Sequence, residues 1–343
     1  DMMVNDNQLV VTTPEEIRVY DSSFNLTGNI TQLQDIDLDY NTALIQGNDI
    51  YIGHESEGLL RTSVTTSPMF DILSPDGPLL NKIFNIESIP NELWIAFGEH
   101  NIFYNPFPQS ARGISHLVGD EWTNIPYDSI VGALDLVEVT INPDNTEEVY
   151  FSAFGSGLLK LENESPTMFF TGENSNIFDF TPGSRDGSRI NGTAFDSAGN
   201  LYISQGFTTT ALYRISPGST TLEPIDLLEQ IPTLGEGLLA EIAIDRNDNI
   251  YIATQVQGLV GYQPSTNTVA QLKDDVGGAG LPDNDIRALK FDLNNRLWIG
   301  STTGLRVLFN PPSIFTEDNV TVNPIIIEEN GVAQELLFTW HRK

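Results

Sequence analysis

Three features of this sequence predict an all-β fold, a seven-bladed β-propeller of four-stranded antiparallel blades. A short apolar phrase returns seven times, its spacing suits a propeller blade, and convincing amphipathic helices are missing. The copies are "LVVT" at Leu9, "IYIG" at Ile50, "LWIA" at Leu93, "VYFS" at Val149, "LYIS" at Leu201, "IYIA" at Ile250 and "LWIG" at Leu297. They are separated by 41, 43, 56, 52, 49 and 47 residues, an average of 48. That period lies within the roughly 40–50 residues of a propeller blade and is too long for leucine-rich repeats.

The columns of the repeat carry the physics. Six copies place Tyr or Trp second (Tyr51, Trp94, Tyr150, Tyr202, Tyr251, Trp298). The third column is apolar throughout, and the fourth is always small: Thr12, Gly53, Ala96, Ser152, Ser204, Ala253, Gly300. Unbroken apolar strands mean that both sheet faces are covered, as in a blade held between two others. The small fourth residue predicts crowded backbones. A further strand follows, usually behind a glycine (Gly58, Gly157, Gly258, Gly304). Before the cores stand turn signals: "GND" at 47–49, "SAGN" at 197–200, "RNDN" at 246–249 and "LNNR" at 293–296. The one plausible helix, in "DLLEQIPTLGEGLLAEIAI", is interrupted by Pro232 and two glycines. The predicted propeller covers 1–315, and 316–343 reads as a closing strand or the start of a following domain.

One blade departs from the pattern. "NIFYNPFPQSAR" is inserted between "LWIAFGEH" and "GISHLVGDEWTNIP", which helps explain the 56-residue step. A loop between the second and third strands sits on the face where the first strands begin. Phe97, Phe103, Tyr104, Phe107 and Arg112 are therefore candidates for a partner or ligand patch at one channel mouth. The competing expectation is a loop that tucks its own aromatics over the neighbouring blade. His54 ends a second strand and His100 lies in the insertion on the same predicted face, so both join the candidate set.

Charge excludes several classes. The chain has 47 acidic and 16 basic residues, a net charge of −31, spread without an acidic tail. Such a surface repels phosphate backbones and anionic membranes, so no nucleic-acid partner is expected. No apolar run approaches the roughly 20 residues of a membrane span. The start "DMMVNDN" reads as a processed or trimmed product. Zero cysteines removes disulfides, zinc-thiolate sites and cysteine nucleophiles together.

Catalysis and cofactors are not expected. Four histidines (His54, His100, His116, His341) stand at no ligand spacing and show no acid partner. No phosphate loop, dinucleotide fingerprint or nucleophile elbow appears. Asp245, Asn247 and Asn249 echo the first ligands of a calcium loop, as do Asp292 and Asn294. They lack the sixth-position glycine and twelfth-position Glu, so hairpin turns are expected, with a structural calcium as the alternative.

With the motif spelled out, a resemblance emerges. "KFDLNNRLWIGSTTGLRVL" resembles the two-component-regulator propeller repeat of Bacteroidetes, roughly D-x-x-G-x-[LI]-W-[IV]-G-[TS]-x-x-G-L. Asp292, Leu297, Trp298, Ile299, Gly300, Ser301, Gly304 and Leu305 match, while Asn295 or Arg296 replaces the usual glycine. "TINPDNTEEVYFSAFGSGLLKLENE" and "FNPPSIFTEDNVTVNPIIIEENGVAQELLF" resemble the PorZ-like family of type IX secretion proteins. That resemblance implies an exported protein of the periplasm or cell surface of a Gram-negative bacterium, with two propellers and a C-terminal β-domain. It implies an attachment complex with the sortase PorU and with PorV and PorQ, lipopolysaccharide binding, and support for cargo anchoring without transpeptidase activity. No site residue transfers with it, because the matching motifs are blade scaffolding. The chain has one propeller's length, and "TWHRK" after "QELLF" breaks the likeness.

The expected function is accordingly a non-enzymatic surface scaffold. The alternative is the periplasmic glycan-sensing propeller of a hybrid two-component system. A propeller lyase or lactonase ranks below both.

Overall fold

The computed structural model describes all residues except 6, 34–38, 56, 64–68, 74–75, 107, 178–186, 209, 275–279, 325, 330–331 and 336–343. Among the described residues the strands form seven four-stranded sheets, each an antiparallel meander in chain order, and one additional hairpin. This is the seven-bladed β-propeller class, and all seven predicted cores lie in second strands. Those strands are Gln8–Thr12, Asp49–His54, Glu92–Ala96, Glu148–Ala153, Leu201–Gly206, Ile250–Thr254 and Leu297–Ser301.

The repeat columns now have causes. In four of the six Tyr or Trp copies the second-column ring carries a polar tip that finds a carboxylate. Trp94 Nε1 donates to Glu92 (2.9 Å), Tyr150 OH to Glu148 (3.0 Å), Tyr251 OH to Asp245 (3.2 Å) and Trp298 Nε1 to Asp292 (3.1 Å). A buried phenylalanine would leave the carboxylate short of a donor, which is why Tyr and Trp fill this column. The fourth column is small because the next sheet's first strand approaches there: Ser204 Oγ donates to Ala240 O at 2.9 Å. The glycines before third strands answer to close approach. A Cβ would lie 2.0 Å from Phe170 O at Gly157 and 2.2 Å from Leu272 O at Gly258.

The chain divides into two compact units, Asp1–Gly77 and Pro78–Lys343. The first holds the first two sheets around Val10, Ile17, Val19, Ile45, Ile50, Ile52 and Leu60. The second holds the other five sheets. Its first strands are Asn85–Ile89, Leu136–Ile141, Arg189–Phe195, Leu239–Ile244 and Ile286–Phe291. The fourth strand of the seventh sheet is short, Asn323–Pro324, and Ile326–Glu329 then pairs with Val332–Glu335. The segment considered for a helix contains a 3-10 turn at Pro232–Glu236. Among the described residues no helix is long and apolar enough to cross a membrane.

Candidate functional site

The site lies within the second unit, at the end where the first strands begin. Four of its five first strands carry a register shift there: between Leu136 and Glu138, Ile190 and Gly192, Leu239 and Ile242, and Ile286 and Ala288. A bulge leaves a residue unpaired and re-aims the side chains beside it. Val137, Asn191, Glu241 and Arg287 sit within these shifts, and together with Glu138 they line one cavity of about 580 Å³. A second cavity of about 1080 Å³ also has Asn85, Glu138, Glu241 and Ala288 in its wall. These four residues therefore mark the junction between the two.

The polar residues of the junction hold the sheets together. A first strand is a sheet edge, and its outward N–H groups need acceptors. Asn85 Oδ1 accepts from Val139 N (3.1 Å) and Glu138 Oε2 from Thr193 N (2.9 Å). Glu241 Oε2 accepts from Leu289 N (2.8 Å). Each bond runs to the following sheet. Ser152 Oγ and Thr193 Oγ1 add donors to the same Glu138 oxygen, at 3.1 and 3.3 Å. Burial raises the Glu138 carboxyl well above the usual range, and the charge of Glu241 adds to that rise. Burial likewise raises Glu241, against the Leu289 bond and the charge of Lys290.

The insertion forms a strap over this cavity. Gly98 N donates to Leu136 O at 2.7 Å, and a Cβ at Gly98 would lie 2.3 Å from that oxygen. Asn101 Oδ1 accepts from Phe103 N (2.8 Å) and Asn105 N (3.1 Å), and Tyr104 takes φ +56°. That tight turn sends Tyr104 inward and leaves Phe103 at the tip. Arg287, 185 residues further along the chain, then fastens the strap. Its Nη1 donates to Ile102 O at 2.8 Å, its guanidinium lies 4.3 Å from the Tyr104 ring centroid, and its Nη2 donates to Asp285 at 2.5 Å. At the base, Ser110 N donates to Asp135 Oδ1 at 2.8 Å. Asp135 is fully buried, and burial pushes its carboxyl up to about 6.

The candidate residues divide by position. Phe97 is 0% exposed, which corrects its assignment to a surface patch: it belongs to the packed interior. Tyr104 is also buried, as the inner wall of the strap. Arg112 donates to Phe97 O at 2.8 Å and pairs with Glu99, so it braces the strap's base. His100 is half-buried among Phe84, Tyr104 and Phe154, with centroids 5.0, 4.7 and 5.0 Å away, and its Nδ1 bonds Asn101 O at 3.0 Å. Phe103 is 74% exposed and is the candidate presented outward. Phe107 lies outside the described residues. His54 belongs to the first unit, where it packs on Tyr40 and accepts from Glu57 N at 3.2 Å.

The turn considered for calcium uses its oxygens internally. Asp245 Oδ1 accepts from Asn247 N (2.8 Å) and Asn249 N (2.9 Å). Its Oδ2 accepts from Asn249 Nδ2 and Tyr251 OH, and Asn249 Oδ1 accepts from Gln263. Sequence reading missed Glu138, Glu241, Asp285 and Arg287. The signal available was a charged residue inside an otherwise apolar first strand, as in "LVEVTI" and "LAEIAI".

No family model and no curated protein matches this chain. Among solved structures it is similar to PorZ, an essential surface component of the type IX secretion system of Porphyromonas gingivalis, with TM-score 0.72 and 16% identity. That match covers 98% of this chain and 47% of PorZ, so the chain spans about half of that protein's length. It is also similar to the extracellular domain of a hybrid two-component system from B. thetaiotaomicron, with TM-score 0.50 and 12% identity. There it covers 90% of this chain and 37% of the other. Likeness at these identities shows the propeller fold.

Proposed function

We propose that this chain is a non-enzymatic binding propeller that meets a protein partner at the strap. The observation that carries the reading is the fastening of the strap. Arg287 and Asp135 hold the loop inserted in the third sheet, while its apolar tip stays open to solvent. A loop held on a rigid scaffold with an exposed aromatic is the usual form of a recognition element. The resemblance in motif and the likeness in fold to PorZ favour one setting. There the chain is an exported surface scaffold of a type IX attachment complex, supporting sortase-linked anchoring of cargo alongside PorU-, PorV- and PorQ-like partners.

The test is capture of those purified partners by the immobilised chain, beside a variant carrying Ile102→Ser and Phe103→Ser. Retention of a partner, weakened about tenfold by the double substitution, supports the reading. Retention indifferent to the tip would move the interface elsewhere, and no retention would overturn the scaffold role. Binding of a soluble glycan with no protein partner would favour a periplasmic sensor instead.

A further inference from the structure

The cavity beneath the strap already holds one cation, and the way it does so shows what its other carboxylates lack. Arg287 is gripped by Asp285, by the carbonyl of Ile102 and by the face of Tyr104. Its charge is thus committed to closing the strap. Glu138 and Glu241 line the same cavity with a different balance. In each, Oε2 is oriented by a backbone N–H of the next sheet, whereas no bond to Oε1 is found among the described residues. Lys290 is exposed and lies 3.7 Å from Glu87 rather than bonding either carboxylate.

We propose that this cavity receives a basic side chain. A guanidinium or ammonium group on an extended segment of a protein partner would enter past Ile102, Phe103 and Val256 and pair with the free oxygens of Glu138 and Glu241. This rests on the reading of the chain as a binding propeller and names the chemistry of its partner. Four observations support it besides the two carboxylates. The walls include Phe84 and Tyr104, and the Tyr104 ring already carries the Arg287 guanidinium, as aromatic rings favour a cation over a neutral group. The rim residues Ile102, Phe103 and Val256 are 49%, 74% and 47% exposed, an apolar collar for the residues flanking a basic one. The volume of about 580 Å³ falls within the usual range of ligand pockets. The net charge of −31 steers cations toward the chain and disfavours an anionic glycan in this cavity.

An incoming cation would also relieve the unfavourable burial of the two carboxyls, so binding should expel protons. Glu138 faces Glu241 from the sixth sheet, and Glu241 also feels Glu87 from the third and Lys290 from the seventh. Asp285 with Arg287, and His100 and Tyr104 on the strap, complete the titratable groups of the wall. Affinity is therefore expected to rise with pH as Glu138 and Glu241 ionise.

The experiment is fluorescence anisotropy on the full chain with labelled Ala-Leu-Arg-Phe-Ala and its citrulline counterpart, which keeps the shape and removes the charge. The arginine peptide should bind saturably, and the citrulline peptide about tenfold or more weaker. The variant carrying Glu138→Gln and Glu241→Gln should lose about tenfold or more in affinity. Each Gln keeps a carbonyl for the N–H of Thr193 or Leu289 and removes a carboxyl that burial disfavours, so a melting temperature equal to or above that of the parent chain should accompany that loss. Agmatine, which carries a guanidinium and an ammonium but no flanking residues, should compete about tenfold more weakly than the peptide. Equal binding of the citrulline peptide, indifference to the double variant, or agmatine binding as tightly as the peptide would overturn the proposal. A protein partner held at the strap without preference for a basic residue would sink this inference and leave the binding reading standing. Failure of every partner and peptide would sink both.

Discussion

The turn between first and second strands is built alike in the fifth, sixth and seventh sheets, whereas the strap of the third sheet is built once. In each turn an aspartate folds back on the next four residues. Asp196 Oδ1 accepts from the backbone N–H of Ala198 and Asn200, Asp245 Oδ1 from Asn247 and Asn249, and Asp292 Oδ1 from Asn294 and Arg296. The fourth residue of each takes a positive φ: Gly199 +77°, Asp248 +61°, Asn295 +59°. The bonds that the aspartate makes to fold such a turn all lie within six residues of it. The strap needs Arg287 from the far end of the second unit and Asp135 from the neighbouring sheet. A local loop can be copied from sheet to sheet, and a loop that depends on distant residues cannot.

Breaking the strap's distant anchor should have the largest effect. Arg287→Met leaves Asp285 without its guanidinium and frees Ile102 O, and is expected to cost about 2–4 kcal/mol in denaturant unfolding. Amides in 98–112 should then exchange faster while those of the Asp245 turn do not. The local counterpart is Asp245→Ala, which orphans two backbone N–H groups and the Tyr251 hydroxyl. It should cost about 2 kcal/mol without loosening the strap.

The carboxylates of Asp135 and Asp292 respond oppositely to pH. The buried Asp135 has a carboxyl raised from 3.8 to about 6. Its contribution to stability is therefore full below its unfolded value and is lost as pH rises through about 6. Asp135→Asn keeps an acceptor for Ser110 and should raise stability by about 1–2 kcal/mol above neutrality, with no gain at acid pH. Desolvation works against ionisation at Asp292, but bonds from the Arg296 backbone, the Trp298 indole, the Arg296 side chain and Asn294 outweigh it and hold the carboxyl below its usual value. Its contribution is present above the unfolded value and fades as pH falls toward the lowered one, so Asp292→Asn should flatten the acid limb of the stability curve. The smallest stability effect should come at the strap's tip. Phe103→Ser should change unfolding by no more than about 0.5 kcal/mol while weakening partner capture.

These contrasts explain what could be read from residues alone. Trp298 and Gly300 were legible as scaffold because their column repeats, and the indole's bond to Asp292 lies six residues away. The place of the strap was legible as well, since the repeat breaks there. Its orientation was not. Phe103 and Tyr104 are adjacent aromatics, yet one is exposed and the other is buried under Arg287. The positive φ at Tyr104 and a guanidinium 185 residues distant decide between them. The facing of Glu138 and Glu241 was not legible for a related reason. Strict alternation assigns a strand residue to one face or the other, and a bulge suspends that rule where it occurs.

The sequence by itself determined the seven repeats, the strands and the shared turns, because their hydrogen bonds and apolar columns close within a few residues. Tertiary structure decided which side chains line the cavity and which loop covers it. Those outcomes depend on bulged edges meeting the next sheet and on one arginine reaching the strap, and neither is encoded by any short stretch of chain.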